Sequence, residues 1–228
     1  MHAASDFSAS MAEATRTINQ PRSLDETMQT IAEVARNSIP GFDHVGISTL
    51  RAKGKVETRA FVGDLVLRLD RIQYGLEEGP CVETLRGTDV IVAPKLRHDQ
   101  RWPRYVPRAT ELGVRSQLAV QLRTDGGGTL GGLNLYSTIS DAVTQEAQAL
   151  ARLFATHSAI ALGHAVEREN LNEGLRTRKV IGQAIGILME RYDMDEDRAF
   201  AFLVRASSHG NIKLRAIAQE LVDQRNAE

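Results

Sequence analysis

The sequence predicts an α+β protein in two parts, an antiparallel sheet with flanking helices followed by an all-α tail. Three observations carry this reading: pairs of apolar runs joined by glycine-rich turns, stretches of helical spacing between and around them, and a change to helical periodicity from Asp141 to the end. At 228 residues, 42% hydrophobic and 25% charged, the chain falls between one large domain and two small ones. It carries ample apolar material for a packed core, which excludes a disordered tail protein.

Ile18, then Leu24, Met28, Ile31 and Ala35, recur at helical spacing. Ser23 with Glu26 three residues on reads as a capping box, because hydroxyl and carboxylate satisfy the first free amides of a helix. Pro40-Gly41 stops that helix. His44 to Leu50 alternates as a strand, and Lys55 to Val62 is its hairpin partner across Ala52-Lys53-Gly54. Asp64 to Tyr74 returns to helical spacing through Leu65, Leu69 and Ile72, with Gly75 expected to close it. After Glu78-Gly79-Pro80-Cys81 a short helical turn leads to the apolar run Val90-Ile91-Val92. Pro103 to Leu112 reads as a helix ended by Gly113. Ser116 to Leu122 and Leu130 to Tyr136 are apolar runs joined by Asp125-Gly126-Gly127-Gly128, a hairpin signal. No Gly-Lys-Ser/Thr follows those glycines, so a phosphate loop is not expected.

In the tail, Leu150, Phe154, His157, Ala161 and His164 recur in alternating steps of four and three, the spacing of a coiled-coil seam on which two chains meet. A helix unbroken to Glu190 would span on the order of 75 Å. Gly163 and Gly174 weigh against that continuity, each costing about 1 kcal/mol relative to Ala inside a helix. Three helical pieces follow: one ending near Arg191, one from Asp195 to Ser207 and one from Ile212 to Val222, with His209-Gly210-Asn211 as the last turn. Asp195-Glu196-Asp197 puts acids on a first turn, where the helix dipole favours them. Such short helices enclose little core and are expected to lean on each other and on a partner chain.

The formal net charge of -1 gives no global positive field, so any polyanion site must be local. With 5% aromatic residues, extensive base stacking is not expected, and polar contacts should dominate any nucleic-acid site. The single cysteine, Cys81, excludes an internal disulfide and any zinc site built on two cysteines, and points to a reducing compartment. Its acidic neighbours raise the thiol pKa, which favours a buried inert thiol over an oxidant sensor. Neither a basic segment followed by an apolar stretch at the start nor a run of about 18 apolar residues is present. A cytoplasmic protein away from membranes is therefore expected. His157 and His164 lack a carboxylate on their stripe to complete a ligand set, and neither metal nor cofactor is expected. Trp102 lines a pocket or plugs the sheet. No Ser/His/Asp order, paired-carboxylate motif or nucleophile elbow appears, so no enzymatic activity is expected.

The run Arg178-Lys179-Val180-Ile181-Gly182-Gln183-Ala184-Ile185-Gly186-Ile187-Leu188-Met189-Glu190-Arg191, with Ala199-Phe200, Leu203 to Ser207, Lys213-Leu214-Arg215 and Ile217-Ala218, closely resembles an ANTAR domain. That family is a three-helix RNA-binding module of bacterial transcription antiterminators. Residues 1–164 resemble a GAF domain of the kind that precedes ANTAR, on the pieces Gly41 to Ser48, Glu78 to Cys81, Arg101-Trp102-Pro103, Leu112 to Ser116 and Leu130 to Ser137. The division expected is a GAF-like sensor over 1–164 and an ANTAR domain over 165–228, with a coiled-coil linker helix.

Ala184, Ala206 and Ala218 fall one on each tail helix, where a methyl group lets backbones approach. Ile181, Ile185, Leu188, Phe200, Leu203, Leu214 and Leu221 are expected to supply apolar contact around them. The family commonly carries a basic residue at the position of Ile185. RNA contacts are assigned to Arg178, Lys179, Gln183, Arg205, Ser207, Ser208, Asn211, Lys213 and Arg215, cations neutralising phosphates while Ser and Asn read exposed base edges, in keeping with the resemblance. Residues 165–228 hold 10 basic and 11 acidic side chains, so this reading rests on segregation of charge. A candidate ligand pocket in the GAF part is assigned to Cys81, Trp102 and Tyr136.

The resemblance implies a signal-responsive homodimeric regulator that binds RNA stem-loops and promotes antitermination, with a small-molecule ligand in the GAF part. Two rivals stand beside it: a DNA-binding regulator using the last two helices, and a ligand sensor signalling to a protein partner.

Overall fold

The computed structural model describes residues 12–20, 22–50, 55–124 and 127–227. It divides into two compact units, residues 1–166 and 167–228.

In the first unit, α1 (residues 12–18) and α2 (Leu24–Ser38) precede a five-stranded sheet. The capping box is made: the Glu26 amide donates to the Ser23 hydroxyl at 3.3 Å, and the Ser23 amide donates to the Glu26 carboxylate at 2.9 Å. Strands β1 (His44–Leu50), β2 (Val56–Val62), β3 (Val90–Ala93), β4 (Ser116–Arg123) and β5 (Thr129–Ser137) lie in the order β2-β1-β5-β4-β3, every pair antiparallel. The turn read at Ala52-Lys53-Gly54 lies outside the described residues. Of the β4–β5 turn, Thr124, Gly127 and Gly128 are described, and Gly127 takes φ +82° as its amide donates to the Thr124 carbonyl at 2.9 Å.

Helices α3 (Leu65–Leu76), α4 (Pro80–Leu85) and α5 (Tyr105–Glu111) lie between the strands in sequence. Helix α3 passes Gly75 and ends at Glu77, whose left-handed φ of +52° closes it. Glycine there was unnecessary, because the cap falls two residues on. Gly46 has a clearer purpose: a Cβ on it would sit 2.6 Å from the Val66 side chain, so its absence lets α3 approach β1.

Strand alternation gives the sheet two unlike faces. Val45, Ile47, Leu118, Val120, Leu122, Leu133 and Leu135 point to one side and pack with Met28, Ile31 and Ala35 of α2. Leu150, Phe154 and Ala161 join the same core from the long helix α6 (Gln145–Tyr192). The intervening residues Ser48, Gln117, Gln121, Asn134 and Tyr136 turn to the opposite face, and all are buried.

Helix α6 is continuous through Gly163 and Gly174. Three residues of the expected seam, Leu150, Phe154 and Ala161, cover the chain's own sheet, and the large hydrophobic side chains left exposed on α6 are Leu153, Ile160, Leu171, Leu175, Met189 and Tyr192. Alternating steps of four and three mark an apolar stripe without specifying whether a sheet or a second helix covers it.

The second unit comprises the end of α6 with α7 (Glu196–Gly210) and α8 (Leu214–Ala227). Ala184, Leu188, Ala199, Leu203 and Ala218 form its core, with Val180, Ile181, Ile185, Leu214 and Leu221 half-buried around it. Ile185 thus packs as an apolar side chain. On α7 the close-packed alanine is Ala199, and Ala206 is only half-buried. Phe200 is 45% exposed rather than in the core, because it lies about 100° around the helix from the Ala199–Leu203 stripe.

Candidate functional site

On the polar face of the first unit, α3 delivers Asp70, Gln73 and Tyr74 one helical turn apart. The Asp70 carboxylate accepts from the Thr58 hydroxyl at 2.6 Å and from the Tyr136 hydroxyl. Gln73 donates to the Tyr136 hydroxyl at 3.0 Å and accepts from the Cys81 amide at 2.9 Å, tying α3 to both β5 and α4. Tyr74 bonds Ser48 through their hydroxyls at 2.6 Å, and Asn134 donates to Ser48 at 2.9 Å and to the Cys81 sulfur at 3.1 Å. This is a nearly closed network; the Asn134 Oδ1 atom has no hydrogen-bond partner.

Burial dominates its electrostatics. Desolvation raises the Asp70 carboxyl above its ordinary value, against the hydrogen bonds from Thr58 and Tyr136. Burial, with Asp70 nearby, pushes the Cys81 thiol up to about 12, which removes the thiolate at neutral pH. Tyr136 and Tyr105 are likewise raised by burial and by Asp70.

The three residues assigned to a pocket are therefore core groups. Cys81 and Tyr136 are fully buried inside the network, and Trp102 is 1% exposed with its indole N–H on the Glu83 carboxylate at 2.7 Å. Trp102 plugs the α3–α5 side of the sheet. A groove of about 840 Å³ opens beside the network, and the member that reaches it from α3 is Tyr74. Asp70 and Gln73 went unnoticed in the sequence, although both sit on the apolar stripe with Val66 and Leu69, where a polar residue must be buried with partners.

In the second unit, Asp195 caps α7 by accepting from the Arg198 amide at 2.8 Å, and Asn211 ends it in a left-handed conformation at φ +49°. The Ser207 hydroxyl donates to the Ile212 carbonyl at 2.6 Å, so it shapes the α7–α8 turn. Arg215 is ion-paired with Glu173 and clasps α8 to α6. Arg178, Lys179, Gln183, Arg205, Ser208, Asn211 and Lys213 are exposed. The turn brings Ser208, Asn211 and Lys213 close in sequence, with Arg205 one turn earlier on α7. Lys179 and Gln183 share a separate face of α6, one turn apart. Among the described residues Arg205 and Lys213 have no ion-pair partner, and the exposed Phe202 stands one turn from both Arg198 and Arg205. That stripe, Arg198-Phe202-Arg205-His209, interleaves an aromatic ring with cations. Low aromatic content had argued against stacking, but a local site needs one ring.

The folded pattern agrees with the family comparisons. Residues 21–163 match the GAF domain and residues 169–222 match the ANTAR domain. The chain belongs to the GAF family and carries a C-terminal ANTAR domain, the composition of a GAF and ANTAR domain-containing regulator. No curated protein matches the sequence. Among solved structures, the GAF domain of a phosphoenolpyruvate-protein phosphotransferase from Coxiella burnetii is similar at TM-score 0.58 and 16% identity, over 72% of this chain and 96% of that one. A bacteriophytochrome of R. palustris matches at TM-score 0.57 and 13% identity over 81% of this chain, which spans 42% of its length. A type II free methionine-R-sulfoxide reductase from Thermoplasma acidophilum matches at TM-score 0.50 and 21% identity, over 62% of this chain and 93% of that one. These likenesses show a shared fold.

Proposed function

We propose that the protein is a non-enzymatic, cytoplasmic regulator whose GAF unit receives a small-molecule signal and whose ANTAR unit binds RNA stem-loops to promote transcription antitermination. The observation that carries this reading is the exposed face of α7 and its following turn, where Arg205 and Lys213 stand without ion pairs among the described residues and Phe202 lies among cations. Cations there neutralise phosphates, and an exposed ring accepts an unpaired loop base, the pattern by which proteins read single-stranded loops. No helix among the described residues is long and apolar enough to cross a membrane. Leu153 and Ile160, exposed on the part of α6 that belongs to the first unit, support a homodimer.

Competition between a tandem-hairpin RNA and duplex DNA tests the reading. Preference for the hairpins, with read-through of a terminator in a transcription assay, is expected; preference for duplex DNA overturns it. In a sensor acting through a protein partner, Arg205→Ala with Lys213→Ala leaves output intact. Here the pair abolishes most hairpin binding and flattens its salt dependence.

A further inference from the structure

The groove beside the buried network lies between the β1–β2 end of the sheet, α3 and α4, and its volume of about 840 Å³ suits a small organic ligand. Leu50 and Leu67, exposed at 43% and 38%, both line it, and Val82 and Leu85 extend the same apolar surface. Thr58 and Tyr74 form the polar side, their hydroxyls 3.1 Å apart and joined inward to Asp70 and Ser48.

Its charges do not balance. Arg86 is matched by Glu77 at 3.2 Å, and Glu57 by Arg59 from outside the groove at 3.5 Å, an arginine that also pairs with Asp25. Lys55 and Arg71 also line the groove, and neither has an ion pair or side-chain hydrogen bond among the described residues. With Lys55, Arg71 and Arg86 against Glu57 and Glu77, the lining carries one excess positive charge, and two cations without an ion pair beside an apolar wall discriminate on two counts. The cations favour a negative group over a neutral one, and the leucines gain only from an apolar body. A wholly polar anion leaves the leucines wet, and a neutral hydrocarbon leaves the cations unused.

We propose that this groove binds a small amphipathic anion, an organic acid with an apolar body, as the ligand of the GAF unit. The proposal rests on the reading of that unit as a sensor. The anionic group sits against Arg71 and Lys55 while the body covers Leu50 and Leu67, and the ligand rests on Tyr74, which with Thr58 carries the buried network to the groove. Occupancy is thereby linked to the α3 residues that hold β5 and α4.

The probe is 8-anilinonaphthalene-1-sulfonate with the full chain, read by energy transfer from Trp102, the single tryptophan. Saturable binding of one probe per chain is expected, weakened at least tenfold by Arg71→Glu with Lys55→Glu and unchanged by Arg108→Glu, an exposed cation on α5 outside the groove. The uncharged N-phenyl-1-naphthylamine should bind the wild type at least tenfold more weakly than the sulfonate. Thermal melts by circular dichroism establish that the variants fold. A change of less than twofold in the double variant, or equal binding of the neutral analogue, overturns the proposal. Hairpin RNA affinity of the same proteins, measured without probe, tests the regulator reading separately: loss of probe binding with intact hairpin binding refutes the groove alone, and absent hairpin binding in the wild type refutes the regulator.

Discussion

Asp70 is 1% exposed and receives two hydroxyl donors but no cation. Because burial raises its folded-state pKa, the fold favours the protonated form. The stability it contributes is full below the unfolded carboxyl value near ~3.9 and is lost as pH rises through the raised folded value. The melting temperature of the wild type relative to Asp70→Asn should therefore fall with rising pH, and a difference that is flat with pH would refute the assignment. Asp70→Ala also orphans the Tyr136 and Thr58 hydroxyls and should cost about 2 kcal/mol in denaturant unfolding. On the ANTAR side, Phe202→Ala should weaken hairpin binding by about 1–3 kcal/mol, the worth of one stacked base, without altering the salt slope. Arg205→Ala should instead lower that slope by about one; equal slope changes in both variants would mean that Phe202 does not stack. Arg205 is among the RNA contacts read from the sequence, whereas Asp70 and Phe202 are not. A lone aspartate on an apolar stripe is readable as buried, but its partners Thr58 and Tyr136 are brought to it by strand pairing across 12 and 66 residues.

At the scale of elements, local chemistry made most of the fold legible. The Ser23–Glu26 box, the alternation of β1, the apolar run of β4 and the glycines of the β4–β5 turn each act within a few residues, and each element formed where that chemistry placed it. What covers a stripe is not local. The seam residues Leu150, Phe154 and Ala161 satisfy a coiled-coil spacing and a helix-on-sheet spacing equally, and the sheet buries them. Burial is not local either: Cys81, Trp102 and Tyr136 are read by motif, and the sheet face they occupy places all three in the core. The two roles of α6 separate by mutation. Phe154→Ala should cost about 3–5 kcal/mol of unfolding free energy, as a large core side chain is lost. Gly163→Ala should stabilise α6 by up to about 1 kcal/mol, because a Cβ there meets open space. Thermal and denaturant melts check both, and a destabilised Gly163→Ala would show that an unseen close contact needs the glycine.

For the whole molecule, the change to helical pattern after Asp141 made two functional parts legible, while α6 bridges their division at residues 166 and 167. A single ANTAR unit offers few cations and near-neutral charge, so on the proposed function it would hold one hairpin weakly and with little nonspecific attraction. Pairing two chains would change this without adding a contact to either site, because the second hairpin of one transcript would then bind intramolecularly, at an effective concentration in the millimolar range. The exposed row of α6 is the surface available for that pairing, and Ile160, 45% exposed, lies on it away from the sheet core. Ile160→Glu should therefore give monomers in sedimentation experiments while leaving the melting temperature of the GAF unit nearly unchanged. Its affinity for an isolated hairpin should equal that of the wild type, and its affinity for a two-hairpin RNA should drop by about a hundredfold, the scale of avidity for linked sites. Equal losses on both RNAs would mean that α6 shapes the RNA site itself. No loss on either, with monomers established, would mean that one chain suffices for recognition and that pairing serves the sensor.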